Sequence, residues 1–205
     1  MNFKDVHSWT PIMWACRKGH KNIVQLLIDH SNENIDFNAR IKRCSNNFPC
    51  YECDYHGNSH YTPLMLACKF GHQDVVQLLI EQPNGKIDFN AKAGFGCTSL
   101  MLACKYGKKD VVKLLLDHSS ILNIDLHAKD PYSYTAFSLA CQSGHTEVVQ
   151  LFLDHSEKEI FLSSKNDFGL PAIDVATIRG EKQVAQLLYE HYEPRGLLQS
   201  LYSLA

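Results

Sequence analysis

Between residues 40 and 61 the chain gathers Cys44, Cys50, Cys53, His56 and His60. Cys50 and Cys53 enclose two residues, Cys44 precedes them and the two histidines follow. Thiolates and imidazoles at such spacings are ligands a tetrahedral Zn²⁺ accepts, so one zinc is expected on Cys44, Cys50, Cys53 and either His56 or His60. Binding would offset the ordering entropy of a long loop. The competing reading is an extended finger with solvent-exposed thiols, because the two-Cys, two-His order is compressed relative to familiar zinc modules. A disulfide through Cys44 is disfavoured in a reducing compartment. Elsewhere no phosphate-binding glycine loop, nucleophile elbow or His-Glu-x-x-His is found. His20, His72 and His145 recur at one position, His30, His118, His155 and His191 at another, and Asp29, Asp117 and Asp154 at a third. Repetition argues against a single catalytic centre, so no catalytic residue and no enzymatic activity are expected.

The elements that carry these residues are repeats. Thr62-Pro63-Leu64-Met65-Leu66-Ala67-Cys68-Lys69-Phe70-Gly71-His72 leads into Val75-Val76-Gln77-Leu78-Leu79-Ile80, and the same frame opens at Thr10, Thr98 and Thr135 and, with proline instead, at Pro171. The spacings are 52, 36, 37 and 36 residues. In each copy threonine is a good N-cap, and proline suits the first helical position, where its missing N–H costs nothing. A short helix follows, and Gly71 ends it in a left-handed conformation. The second helix is too apolar for one wet face, so neighbouring copies must cover it. The result is an array stabilised by each repeat and its interfaces. Between copies, Ile87-Asp88-Phe89-Asn90-Ala91-Lys92 and Ala93-Gly94-Phe95-Gly96-Cys97 read as extended residues bounded by glycines, which predicts a hairpin-like finger.

Thr-Pro-Leu-Met-Leu-Ala-Cys, Gly-His, Val-Val, Leu-Leu-Ile and Ile-Asp-Phe-Asn-Ala resemble the ankyrin repeat over about residues 5 to 193. The period is about three residues longer than the family's, with the excess at residues 81–86. The resemblance implies an all-α solenoid with short β-hairpin fingers in a domain spanning 1–193. Its repeats fall at about 5–39, 57–92, 93–129, 130–165 and 166–193, with the inserted finger at 40–61.

Composition fits an ordinary globular chain. Hydrophobic residues make up 45% of 205, enough for a continuous core. A net charge of −2 predicts no general attraction to nucleic acid or an anionic membrane. No signal-like apolar run opens the sequence and no apolar stretch approaches the length of a membrane span. The expectation is a cytoplasmic monomer, with the nucleus also open. Cys16, Cys68, Cys104 and Cys141 share one repeat position and read as small core hydrophobes.

Trp14 stands where later copies have leucine and is expected to be buried, whereas Trp9, ahead of its cap, is expected to be partly exposed. The fifth copy, Pro171-Ala172-Ile173-Asp174-Val175-Ala176-Thr177, carries the polar substitutions of a capping repeat. The tail, 194–205, has a helical apolar stripe and is expected to pack on the last repeat. Its Pro194-Arg195 and Leu198-Gln199-x-Leu201 resemble the opening of a suppressor-of-cytokine-signalling box, although Tyr202 replaces the usual cysteine. That resemblance implies an alternative function, a substrate receptor recruiting a ubiquitin ligase.

In ankyrin arrays partners lie along a concave groove formed by the fingers and the ends of the first helices. The matching positions here are His7, Trp9, Arg17, Lys18, Tyr61, Lys69, Phe70, Phe95, Lys105, Tyr106, Tyr132, Tyr134, Gln142, Phe168 and Arg179. Aromatics and cations dominate, and no carboxylate is among them. They predict a non-enzymatic interaction module whose partner is an extended, acidic, partly apolar segment of another protein. Two places are open to each aromatic, the groove surface or the padding between fingers. Asn38 and Asn90, in Asp-Phe-Asn-Ala, resemble the site hydroxylated in many ankyrin repeats; the competing reading is a structural asparagine bonding within its finger.

Overall fold

The computed structural model describes residues 3–5, 8–30, 35–41, 60–82 and 87–192. His7, the ligand set Cys44, Cys50, Cys53 and His56, and the tail 194–205 lie outside the described residues.

Helices come in antiparallel pairs. They are α1 (Pro11–Lys18) with α2 (Lys21–Asp29), α3 (Pro63–Phe70) with α4 (Gln73–Ile80), α5 (Ser99–Lys105) with α6 (Lys109–Asp117), and α7 (Ala136–Gln142) with α8 (Thr146–Leu153). A short α9 (Lys158–Ser163) precedes the last pair, α10 (Ala172–Arg179) with α11 (Lys182–Tyr192). First helices stack on first helices and second on second, giving two layers along the array.

The caps form as the sequence dictates, with one addition. The hydroxyls of Thr10, Thr62 and Thr98 accept the amide three residues on, and the threonine N–H groups donate to Met13, Met65 and Met101 Sδ at 3.4 Å. Ser138 Oγ takes that place in α7, 2.8 Å from Thr135 N. Each methionine thus closes a reciprocal box while fully buried in the core. Pro171 provides no side-chain cap. Beside the methionines, Cys16, Cys68, Cys104 and Cys141 are fully buried, and burial pushes their thiols far above the ordinary range.

Consecutive repeats are keyed by the residue after each glycine. His72 Nε2 lies 2.8 Å from the Arg17 carbonyl and His145 Nε2 lies 3.0 Å from that of Lys105. The ring of His72 occupies the space a Cβ on Gly19 would need. These histidines are inter-repeat fasteners. His30, His118 and His191 do a different repeated task, each placing Nδ1 about 3 Å from the carbonyl four residues earlier.

Three expectations are corrected. The fingers contain no strand among the described residues: a single antiparallel bridge, Lys165 to Pro171, is the one sheet-like contact. The three fingers ahead of α5, α7 and α10 each close through one short loop, Ala93 N to Cys97 O, Asp130 N to Tyr134 O and Asn166 N to Leu170 O, leaving no length for a ladder. The tryptophans are reversed. Trp9 is 5% exposed while Trp14 is partly exposed, and the two rings stack at 4.6 Å. Leu66, Leu102 and Leu139, which match Trp14, lie between two repeats and are buried; on the outer side of Trp14 no described repeat stacks. The same end effect exposes Ile23 and Leu26 on α2, whereas the matching Val75 and Leu78 are buried. Finally, Lys69 is 8% exposed, not at the open surface expected of it.

Candidate functional site

In three fingers an Asp or Asn five places before the cap sets the turn, whereas Ala93 stands there ahead of Thr98. Asp5 Oδ1 accepts from Trp9 N at 2.9 Å, Asp130 Oδ1 accepts from Tyr132 N and Tyr134 N at 2.9 Å, and Asn166 Oδ1 accepts from Phe168 N and Leu170 N at 3.0 Å. A residue of positive φ then turns the chain back, at Ser8, His60, Gly96, Ser133 and Gly169. These Asp and Asn side chains are not among the site residues expected from the sequence. Their signal was local, an Asx two residues ahead of an aromatic.

The turns divide the aromatics into two sets. Residues just before the cap point inward: Trp9 and Tyr61 are buried and Tyr134 is partly buried, so they pad the junctions. Residues at the tips point outward, with Phe95, Tyr132 and Phe168 at 43%, 56% and 69% exposed. Adjacent tips touch through their loops. Pro131 packs against Gly96, and Asp167 N donates to Tyr132 O at 3.2 Å.

At the ends of the first helices the cations lie over ring faces. The Arg17 guanidinium carbon is 5.6 Å from the centres of both Trp9 and Trp14 and 5.4 Å from Phe70. Lys69 Nζ is 5.0 Å from Tyr61, 5.7 Å from Phe70 and 5.2 Å from Tyr106. Lys105 Nζ is 5.9 Å from Tyr106. The pattern has a rule: a cation sits between the pre-cap aromatic of its own repeat and the aromatic before the glycine region of the next. For Lys105 those positions hold Cys97 and Ser143, so it keeps one ring and stays exposed. Cation–ring attraction in partly desolvated settings is worth about 1–2 kcal/mol, and of the three cations only Lys69 is buried. Lys18 and Arg179 are exposed at the two ends of this surface.

Asparagines link the finger bases across repeats. Asn38 Oδ1 accepts from Asp88 N at 2.9 Å; Asn90 Oδ1 accepts from Asp125 N at 2.8 Å while its Nδ2 donates to Asn123 O at 2.8 Å. The expected bond within one finger is therefore a bond to the next. His127 holds the equivalent place and reaches Glu157 at 2.6 Å. Of the zinc set only His60 is described; it is exposed, and its N–H donates to Ile41 O at 2.9 Å. Among the described residues no cluster of three or more His, Cys, Asp or Glu could hold a metal ion. No helix among them is long and apolar enough to cross a membrane.

A family model described as ankyrin repeats (3 copies) matches residues 1–93, 41–130, 85–157 and 120–196. No curated protein matches the chain.

Proposed function

Because the chain belongs to the ankyrin-repeat family, whose repeats are protein-interaction modules, we propose that it acts as a monomeric, non-enzymatic platform for an extended acidic, partly apolar segment of another protein. The observation that carries this reading is the ladder of Arg17, Lys69 and Lys105 over the faces of Trp9, Trp14, Tyr61, Phe70 and Tyr106. The part-exposed rings of Trp14, Phe70 and Tyr106 give rigid apolar contact at small entropic cost, with Trp9 and Tyr61 buried behind them, and the cations select carboxylates and repel basic segments. Nucleic acid is a poorer fit, since the net charge is −2 and Asp29, Asp117 and Asp154 are exposed on the second-helix layer.

Charge reversal at exposed groove positions tests this. Proteins captured from a lysate by the intact chain should be lost on Lys18→Glu with Lys105→Glu and retained on Asp117→Lys with Asp154→Lys. Capture should also weaken at high salt. The opposite pattern of loss would place the partner on the other layer and overturn the reading.

A further inference from the structure

The fingertips specify what conformation a bound segment adopts. We propose that Phe95, Tyr132 and Phe168 read a polyproline-II segment bearing a bulky apolar residue or proline at every third position; the inference rests on the groove reading above.

The three rings occupy one position in successive fingers, and each is exposed. Their loops are in direct contact, through Pro131 against Gly96 and through Asp167 N on Tyr132 O. The helices beneath, α5, α7 and α10, pack side by side. Packed helices lie about 8–10 Å apart, so the rings form a row with roughly that period. A polyproline-II chain has three residues per turn and rises about 3.1 Å per residue, presenting the same face every ~9 Å. A β-strand presents the same face every ~6.7 Å and falls out of register by the second ring. An α-helix returns after seven residues, about 10.5 Å, but its intermediate apolar residues at three and four would meet the polar atoms of Asp130, Ser133 and Asp167 between the tips. A helix apolar only at every seventh residue would be marginal by itself. The polyproline-II segment needs one apolar group per repeat, and one is what each finger meets.

Charge sets the other half of the ligand. Cations over rings fill repeats one to three, through Lys105, whereas the matching positions of repeats four and five are Gln142 and Ile178. The ligand is therefore a composite, with carboxylates over the first three repeats and triplet-spaced apolar residues over the last three. Aromatic rows that dock proline-rich chains gain because the bound helix is already populated in the free peptide.

Two fluorescein-labelled peptides test this, each with a glutamate-rich half joined to nine residues of three Leu, three Pro and three Ser, and each made in both orders. One is (Leu-Pro-Ser) three times; the other has the same composition with leucines at alternate positions. By fluorescence anisotropy the triplet peptide should bind the full chain about tenfold more tightly. Tyr132→Ala, with an unchanged circular dichroism spectrum, should abolish that preference, while Lys105→Glu should weaken both peptides alike. Equal affinities that both fall with Lys105→Glu overturn the triplet register and leave the acidic groove standing. No binding of either peptide up to millimolar concentration also overturns the register, and the capture experiment then decides the groove. A control peptide with leucines at seven-residue spacing outcompeting the triplet peptide would replace the polyproline-II segment by a helix.

Discussion

Replacing Gly19 by alanine tests the keyed junction between the first two repeats. Gly19 has φ 72°, and an alanine there carries a left-handed penalty of about 1–2 kcal/mol. Its Cβ would also collide with His72 Nδ1 and lie 2.7 Å from Cε1. Displacing the ring breaks the 2.8 Å contact of Nε2 with the Arg17 carbonyl, which adds roughly 0.5–1.5 kcal/mol. The expected cost is about 1.5–3.5 kcal/mol. Gly180 is the internal control: its φ is 79° and no described atom lies within 4 Å of where a methyl group there would sit, so Gly180→Ala should cost only the backbone penalty. Both tryptophans, Trp9 and Trp14, belong to the first repeat, so their fluorescence reports it alone while circular dichroism reports the array. In urea, Gly19→Ala should move the fluorescence transition ahead of the dichroism transition; Gly180→Ala should leave fluorescence in place. Adding His72→Ala to Gly19→Ala should cost about 1 kcal/mol less than the separate losses predict, since the clash disappears. Equal losses at Gly19 and Gly180, with additive behaviour at His72, would refute the keyed junction.

Lys69→Glu should lower stability by about 2 kcal/mol or more, because it puts a carboxylate among three ring faces, while exposed Lys105→Glu stays within about 0.5 kcal/mol; thermal melts of the two variants should separate clearly. Burial raises the Tyr192 phenol from 10.0 to about 12, and its hydroxyl donates to the Leu162 carbonyl. The neutral form belongs to the fold, so its contribution is whole below pH 10 and declines as pH rises towards 12; the stability gap between the wild type and Tyr192→Phe should narrow over that window, and a constant gap would count against it. Hydroxylation of Asn90 requires its bonds to Asp125 and Asn123 to open, so Asp125→Pro, which removes one donor, should speed the addition of one oxygen seen by intact-mass analysis; no addition in either protein removes the site. Zinc on Cys44, Cys50, Cys53 and either His56 or His60 should appear as about one equivalent in protein purified without added metal, and less than about a tenth of an equivalent ends that reading.

What the sequence made legible was what a single repeat determines. Thr-x-x-Met writes both halves of the cap within four residues, and the recurring cysteine is buried because the same surroundings recur. Errors arose where a neighbour decides. Trp14 matches Leu66 in position, yet Leu66 is covered from both sides and Trp14 from one. Lys69 and Lys105 are equivalent by position, and their burial differs because Tyr61 and Tyr106 flank the first where Cys97 and Ser143 flank the second. Those identities stood in the sequence, but the rule that joins a cation to the next repeat's ring is a tertiary one. The Asn bonds were misplaced for a similar reason, since the amide each accepts belongs to the following finger.

On the proposed function, that inter-repeat rule also bears on how the groove would discriminate. A cation held by rings from two repeats is fixed in position before a ligand arrives, so a carboxylate meets an ordered charge and little side-chain entropy is lost on binding. Arg17 and Lys69 are held in this way, each by rings of its own repeat and the next. Lys105 has one ring and greater freedom. If the chain holds acidic segments as proposed, selectivity for them should reside in the first two junctions, where the charge is preorganised, and tolerance of different ligand spacings in the third, where Lys105 has one ring.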